Sequence, residues 1–197
     1  MSSDRYEVEV KIPLKEQEQL RIKLLEIGGR MLNTETQIDT YFDHPCRSFP
    51  ETDEAIRIRN RQPHPNHHRV ILNESIPLNE MTYKGPKVDT GSKTRLEHSV
   101  GIDDPIEAGL ILTQLGFKPI AEIIKLRSFY QIHDITISID DVQNVGLHLE
   151  LERIVDNQDS IIEAREEIFQ VVRQLGLDPA TSIRDSYLEM YLGKKPL

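Results

Sequence analysis

Glu7, Glu9 and Lys11 stand at alternate positions near the start of the chain, separated by Val8 and Val10. The same rhythm returns at His148, Glu150 and Glu152, between Leu147, Leu149 and Leu151. It recurs with basic residues at Arg57, Arg59 and Arg61, at Lys93 and Arg95 (with Glu97), and at Lys125 and Arg127. Thr136, Ser138 and Asp140 alternate with Ile135, Ile137 and Ile139. In an extended chain alternate side chains share a face, so each segment has one polar face and one apolar face. Segments 6–12 and 146–154 present acid; segments 55–61 and 120–132 present base. One reading is a two-layer sheet with a solvated face. Such faces usually mix Ser, Thr, Asn and Gln, whereas this one is nearly all ionic and segregated by segment. The other reading closes the strands into a tube, charged face inward and apolar face outward under helices.

A charged lumen needs ligands of both signs, because like charges repel and buried charge is costly. Carboxylates offer only oxygen, which suits Mg²⁺ or Mn²⁺. Arginine and lysine suit a polyanion. A metal-bound nucleotide or polyphosphate answers both demands.

The elements that must position these residues are mostly strands. Alternation and β-branched content predict them over 6–12, 34–42, 55–61, 69–72, 81–84, 92–100, 120–132, 135–139 and 146–154. Helical spacing predicts 14–27, stopped by Gly28-Gly29; 106–115, with Asp103 or Asp104 as cap and Gly116 as stop; and 159–175, ended at Gly176. A fourth, shorter helix is expected over 186–192. Residues 44–54 and 62–68 read as loops. The whole chain, 1–197, reads as one mainly β domain with flanking helices, a barrel or a strongly curved sheet.

The 197 residues carry 33 acidic and 24 basic side chains, a net charge of -9. Nucleic acid is not an expected partner, because phosphate contacts need a basic face. Apolar runs are too short to span a bilayer, and the first residues show no signal-peptide core. Cys46 is the single cysteine, so a reducing, cytoplasmic location is expected. A homodimer is left open. His64, His67 and His68 match no zinc spacing, and Cys46 is not expected to act as a nucleophile. Asn73 opens a glycosylation sequon that is void without secretion.

The ordered motifs resemble the CYTH family, the triphosphate tunnel metalloenzymes. Glu7-Val8-Glu9-Val10-Lys11 is the ExExK signature. Ala55 to Arg59 resembles the LRIR strand, Thr82 to Pro86 the TxKGP segment, and Arg95-Leu96-Glu97 the RxE strand. Lys125 to Tyr130 resembles KxRxxY, Asp140 to Glu152 the DxVxxLGxxxExE segment, and Ser186 to Met190 the terminal SYxxLL helix. The KGP, KxRxxY and SY segments look most like class IV adenylyl cyclases. The chain departs from inorganic triphosphatases in lacking tryptophan, and from some bacterial cyclases in lacking a His-Phe pair before ExExK.

The resemblance implies a closed eight-stranded antiparallel β-tunnel. It implies Mg²⁺ or Mn²⁺ on Glu7, Glu9, Glu150 and Glu152, with Asp140 as a further ligand or an orienter of one. It implies a triphosphate clamp of Lys11, Arg57, Arg59, Lys84, Arg95, Lys125 and Arg127. Arg61 and Lys93 are expected nearer the tunnel mouths, and Glu97 as an orienter of a basic neighbour. Tyr187 is expected either to pack at the tunnel end or to serve in proton transfer. The implied activity is cyclisation of ATP to cyclic AMP and pyrophosphate, with Glu7, Glu9 and Lys11 at the reacting centre. Hydrolysis of thiamine triphosphate or tripolyphosphate, and non-catalytic binding of a nucleotide or polyphosphate, are the alternatives.

Overall fold

The computed structural model describes residues 6–64 and 77–194. The strand expected over 69–72, His67, His68 and the Asn73 sequon lie outside them. Eight strands are described: β1 (Tyr6–Pro13), β2 (Arg30–Asp43), β3 (Ala55–Pro63), β4 (Asn79–Lys87), β5 (Arg95–Gly101), β6 (Lys118–Ile132), β7 (Ile135–Val142) and β8 (Gly146–Val155). They close into a barrel in the order β1-β5-β4-β3-β2-β6-β7-β8, each neighbour antiparallel. The tunnel architecture is therefore as expected. The β1–β8 seam pairs eight residues. The β1–β5 seam pairs only two, Tyr6 with Leu96 and Glu7 with Arg95.

Alternation sorts the side chains as the period of two demands. Val8, Val10 and Ile12 turn outward, where Ile168, Val171 and Val172 of α4 (Ile161–Gln174) bury them with Ile137, Ile139, Leu149 and Leu151. The helix α1 (Glu18–Glu26) adds Leu20 and Leu24 to the same cluster. On the far side, α3 (Pro105–Gln114) sets Leu112 against Phe42 and Ile58. Its first turn is capped by Asp104, which accepts the amides of Ile106 and Glu107. Helices cover only part of the outside. Val100 and Leu126, on the outward face of β5 and β6, stay exposed, so the outer apolar face is covered by helices only in part. No helix among the described residues is long and apolar enough to cross a membrane.

Ile168 is completely buried between α4 and the barrel. Ile168→Ala should cost about 2–5 kcal/mol through lost contact and the cavity left behind. Thermal unfolding followed by circular dichroism measures this directly.

Three local expectations change. The first helix starts at Glu18 rather than Leu14, because the Leu14 amide extends the β1–β8 ladder to the Leu147 carbonyl at 2.9 Å. The loop 44–54 contains a single helical turn, α2 (Phe49–Thr52), with Pro50 in its first turn. The Asp43 carboxylate accepts the Phe49 amide at 2.8 Å and fixes its start. The strand expected from Ser92 begins at Arg95; residues 92–94 belong to the β4–β5 connection, closed where the Val88 amide meets the Thr94 carbonyl at 2.8 Å.

Candidate active site in an ionic tunnel

The inward faces of the strands meet in a cavity of about 280 Å³. Its wall includes Glu7, Glu9, Arg57, Arg59, Lys84, Arg95, Lys125, Arg127, Glu150 and Glu152. Lys11 and Asp140 lie just behind that wall, each completely buried. One end is closed by an apolar plug. There Tyr187 and Leu188 of α5 (Tyr187–Lys194) pack with Tyr41, Ala55, Ile123 and Val142.

Register decides which charges meet. On the β1–β8 seam Glu9 faces Glu152 and Lys11 faces Glu150. The consequence separates two glutamates that look equivalent in sequence. Glu150 accepts from Arg127 and lies 3.1 Å from the Lys11 ammonium. Although burial opposes its ionisation, Lys11 and Arg127 hold its carboxyl well below the usual range. Glu152 instead converges with Glu7 and Glu9, their oxygens lying within 4.8 Å of one another. Burial, and then the Glu7 charge, push Glu152 up to about 8. Burial, then Glu97, raises Glu7 as well, against the pull of Lys84.

Asp140 holds Arg127 through two bonds, one of them Nε to Oδ1 at 2.6 Å, and accepts the Tyr187 hydroxyl at 2.7 Å. Both partners are cationic or protic, so this carboxylate orients the basic wall. Tyr187 packs in the plug, and its hydroxyl also reaches a tunnel carboxylate. Burial, then Asp140, raises its phenol well above the ordinary value. The Lys11 ammonium lies 3.9 Å from the centre of the Tyr187 ring.

The basic wall is pre-set by its own acids. Arg59 donates to both oxygens of Asp39 at 2.6 and 2.7 Å, and Lys125 reaches the same carboxylate at 3.3 Å. Burial raises the Asp39 value, yet Arg59 and Lys125 hold it well below the carboxylate range. Burial, followed by the neighbouring Arg127 and Arg59, lowers Lys125 to about 7. Arg57 donates to Glu80 at 3.0 Å, Arg95 to Asp53 at 3.2 Å, and Lys84 to Glu97. The Nε atoms of Arg57, Arg61 and Arg95 are buried without a hydrogen-bond partner. These are donors for which the described residues supply no acceptor.

Arg61 lines the cavity beside the exposed Gln62 and Pro63 and pairs with Glu35 and Glu80, as a residue nearer the mouth. One expectation shifts. Lys93 is not a mouth residue; it is buried in the lumen, with its ammonium on Glu9. Sequence reasoning missed Asp39, Asp53 and Glu80. For Asp39 a signal existed, since Glu35, Gln37 and Asp39 alternate on β2. For Asp53, a left-handed residue (φ 55°) at the end of α2, none did.

Oxygen-only donors on Glu7, Glu9 and Glu152, two of them with raised proton affinity, fit a hard divalent cation such as Mg²⁺ or Mn²⁺. Converging carboxylates and several lumen cations lining one cavity suit a metal-bound polyanion.

Comparison with known proteins agrees. The CYTH domain family model matches residues 5–187. A Methanocaldococcus jannaschii protein provisionally named an adenylate cyclase is 36% identical over 184 residues, 93% of this chain and 97% of its own. Adenylate cyclase CyaB of Aeromonas hydrophila is 28% identical over 184 residues, 93% of this chain and 87% of its own. The structure of the PH1819 protein of Pyrococcus horikoshii OT3 superposes with a TM-score of 0.83 at 36% identity, covering 96% of this chain and 99% of that one. A Hippeastrum protein, described with a dominant triphosphatase activity, shares the fold at a TM-score of 0.62 and 15% identity, covering 98% and 97%. With its tunnel, its ordered motifs and a match over almost its full length, the chain belongs to the CYTH domain family.

Proposed function

We infer that this chain is a metal-dependent adenylyl cyclase that converts ATP to cyclic AMP and pyrophosphate inside the tunnel. The observation that carries the reading is one lumen lined both by Arg57, Arg59, Arg95, Lys84, Lys125 and Arg127 and by the convergent carboxylates of Glu7, Glu9 and Glu152. The cyclase names of the M. jannaschii and A. hydrophila relatives support the choice among triphosphate chemistries.

The guanidinium groups of Arg57 and Arg95 present unpartnered Nε donors to phosphate oxygens, and Lys84 adds a point charge. Arg127 is held rigid by Asp140 and Glu150, so it meets developing charge on the leaving pyrophosphate without reorganising. Glu7, Glu9 and Glu152 would hold the cation. When bound, it supplies neutralisation of these carboxylates and of the triphosphate, and acidifies the ribose 3′-hydroxyl. The 3′-oxygen then bonds to the α-phosphorus while the bond from that phosphorus to the pyrophosphate oxygen breaks, and the hydroxyl proton passes through solvent to the departing pyrophosphate. Lys11 sits behind Glu150 and steadies the acidic wall.

A second reading keeps the same clamp and places water at a terminal phosphorus. The dominant triphosphatase activity of the Hippeastrum protein on this fold is its support.

Products separate the two. Purified protein with Mg²⁺ or Mn²⁺ should turn ATP into cyclic AMP and pyrophosphate in equal amounts, resolved by chromatography. 3′-Deoxy-ATP should inhibit competitively and stay unconverted. Orthophosphate as the main product, or turnover of thiamine triphosphate or tripolyphosphate with no cyclic nucleotide from ATP, would establish the hydrolase instead.

A further inference from the structure

Lys93 differs from the other lumen cations in where it is attached. It belongs to the connection between β4 and β5, two residues before Arg95. Because β1 and β5 pair over only two residues, this connection covers the edge of β1 where the ladder ends. The Lys93 amide donates to the Glu9 carbonyl at 2.9 Å. Its ammonium donates to both Glu9 carboxylate oxygens, at 3.0 and 2.7 Å. The far side of the strap is tied down. The Asp89 carboxylate takes Arg165 of α4 at 3.0 and 2.9 Å, and the Asp89 carbonyl takes Arg184 at 2.7 Å. Gly91 sits so close to Arg165 that a Cβ there would lie 2.4 Å from Nη1. The strap backbone is thus fixed, and the long lysine stem is the part free to move.

We propose that Lys93 is an internal counter-ion: it holds Glu9 while the tunnel is empty of metal, and passes to the polyphosphate when a divalent cation takes Glu9. The proposal rests on the reading of Glu7, Glu9 and Glu152 as the cation site. Glu9 is only 3% exposed and faces Glu152, so without a cation it requires buried positive charge, which Lys93 supplies on both oxygens and Lys11 at 3.6 Å. An ammonium bonded to both oxygens occupies the position from which a hard cation would bind them. It cannot stay there beside a divalent charge in a lumen of low polarisability. Metal binding alone therefore leaves Lys93 unpaired, whereas metal with polyphosphate gives it an acceptor. Lys93 couples the two ligands, each strengthening the other's binding.

The test uses the full chain stripped of metal. Free Mn²⁺, followed by electron paramagnetic resonance, should show Lys93→Met and Lys93→Gln binding Mn²⁺ at least tenfold more tightly than the parent. Lys93→Arg should bind like the parent. With Mn²⁺ present at saturation, calorimetry with tripolyphosphate should show at least tenfold weaker binding for Lys93→Gln. Arg61→Gln removes a lumen cation held by Glu35 and Glu80 and should change Mn²⁺ affinity less than threefold. An equal gain there would assign the effect to lumen charge in general and overturn the proposal, as would unchanged Mn²⁺ affinity in both neutral variants. Absence of Mn²⁺ binding in every protein, with tripolyphosphate still bound, would defeat the cation-site reading itself. A measurement on the parent chain stands independently of variant folding. The ¹³Cε resonance of Lys93, assigned by its loss in Lys93→Arg, should move when Mg²⁺ and tripolyphosphate are added together. A stationary resonance would overturn the handover.

Discussion

Arg57→Glu should leave tripolyphosphate unbound in calorimetry at concentrations that saturate the parent protein. Arg57 is 7% exposed and meets Glu80 at 3.0 Å and Thr82 at 3.3 Å, with its Nε unpartnered. Burial works against its charge, but Asp39 leads a set of neighbours that raises its affinity for the proton still further, so it stays a cation at every accessible pH. One charge-assisted hydrogen bond contributes about 1.5–3 kcal/mol. Arg57→Gln should therefore weaken tripolyphosphate by roughly 10- to 150-fold. The reversal adds repulsion to that loss and sets a second carboxylate beside Glu80, which the lumen screens poorly. Arg57→Gln leaves Glu80 with Arg59 and Arg61 within 4 Å, so it should fold where the reversal struggles. Unchanged affinity in Arg57→Gln would remove the β3 arginines from the clamp.

How far the site was legible follows from what each signal encodes. Alternation has a period of two, so it reports which side chains share a face, and the ionic inner wall of β1, β3, β6 and β8 is written there. It does not report what lies across the barrel. Glu150 and Glu152 are interchangeable on β8 alone. Only the β1 register, Lys11 opposite Glu150 and Glu9 opposite Glu152, sets one between Lys11 and Arg127 and puts the other in the carboxylate cluster, with Arg127 no nearer than 3.6 Å. Lys93 continued an alternating run and so read as strand. Its amide instead bonds β1, a contact more than eighty residues away in sequence. The single turn of α2 is too short for helical periodicity to show. Yet it carries Asp53 to Lys87 and Arg95, so a functional wall is held by a segment without a pattern.

The empty tunnel should be least stable between about pH 7 and 8, with thermal midpoints higher at pH 5.5 and again at pH 9.5 in chelator. The sign follows from two groups. Glu152 is raised from 4.5 to about 8 by burial and by Glu7. Between those values the unfolded chain has released the proton and the folded chain still holds it, so stability falls as pH rises toward 8. Lys125 is lowered from 10.5 to about 7 by burial and by Arg127 and Arg59. Between 7 and 10.5 the unfolded chain holds the proton that the folded chain lacks, so stability recovers as pH rises. From 7 to 8 the two slopes cancel, and this is the floor. Asp39 and Glu150, held well below their ordinary values, act only at lower pH, where their protonation removes stability. At about 1.4 kcal/mol per unit, Glu152 removes at most about 2 kcal/mol from pH 5.5 to the floor at 7. The Glu152 side chain is 22% exposed, and water screens part of that. For a chain of this size the loss corresponds to at most roughly 4–8 °C. Divalent cation with tripolyphosphate should abolish the trough, because the cation holds Glu152 ionised and the anion holds Lys125 protonated. Glu152→Gln should make the acid limb shallower without removing it, because Glu7 is raised as well. A flat profile in the parent protein, with chelator present, would mean that Glu152 and Lys125 titrate near their ordinary values and that the lumen is wetter than its packing implies.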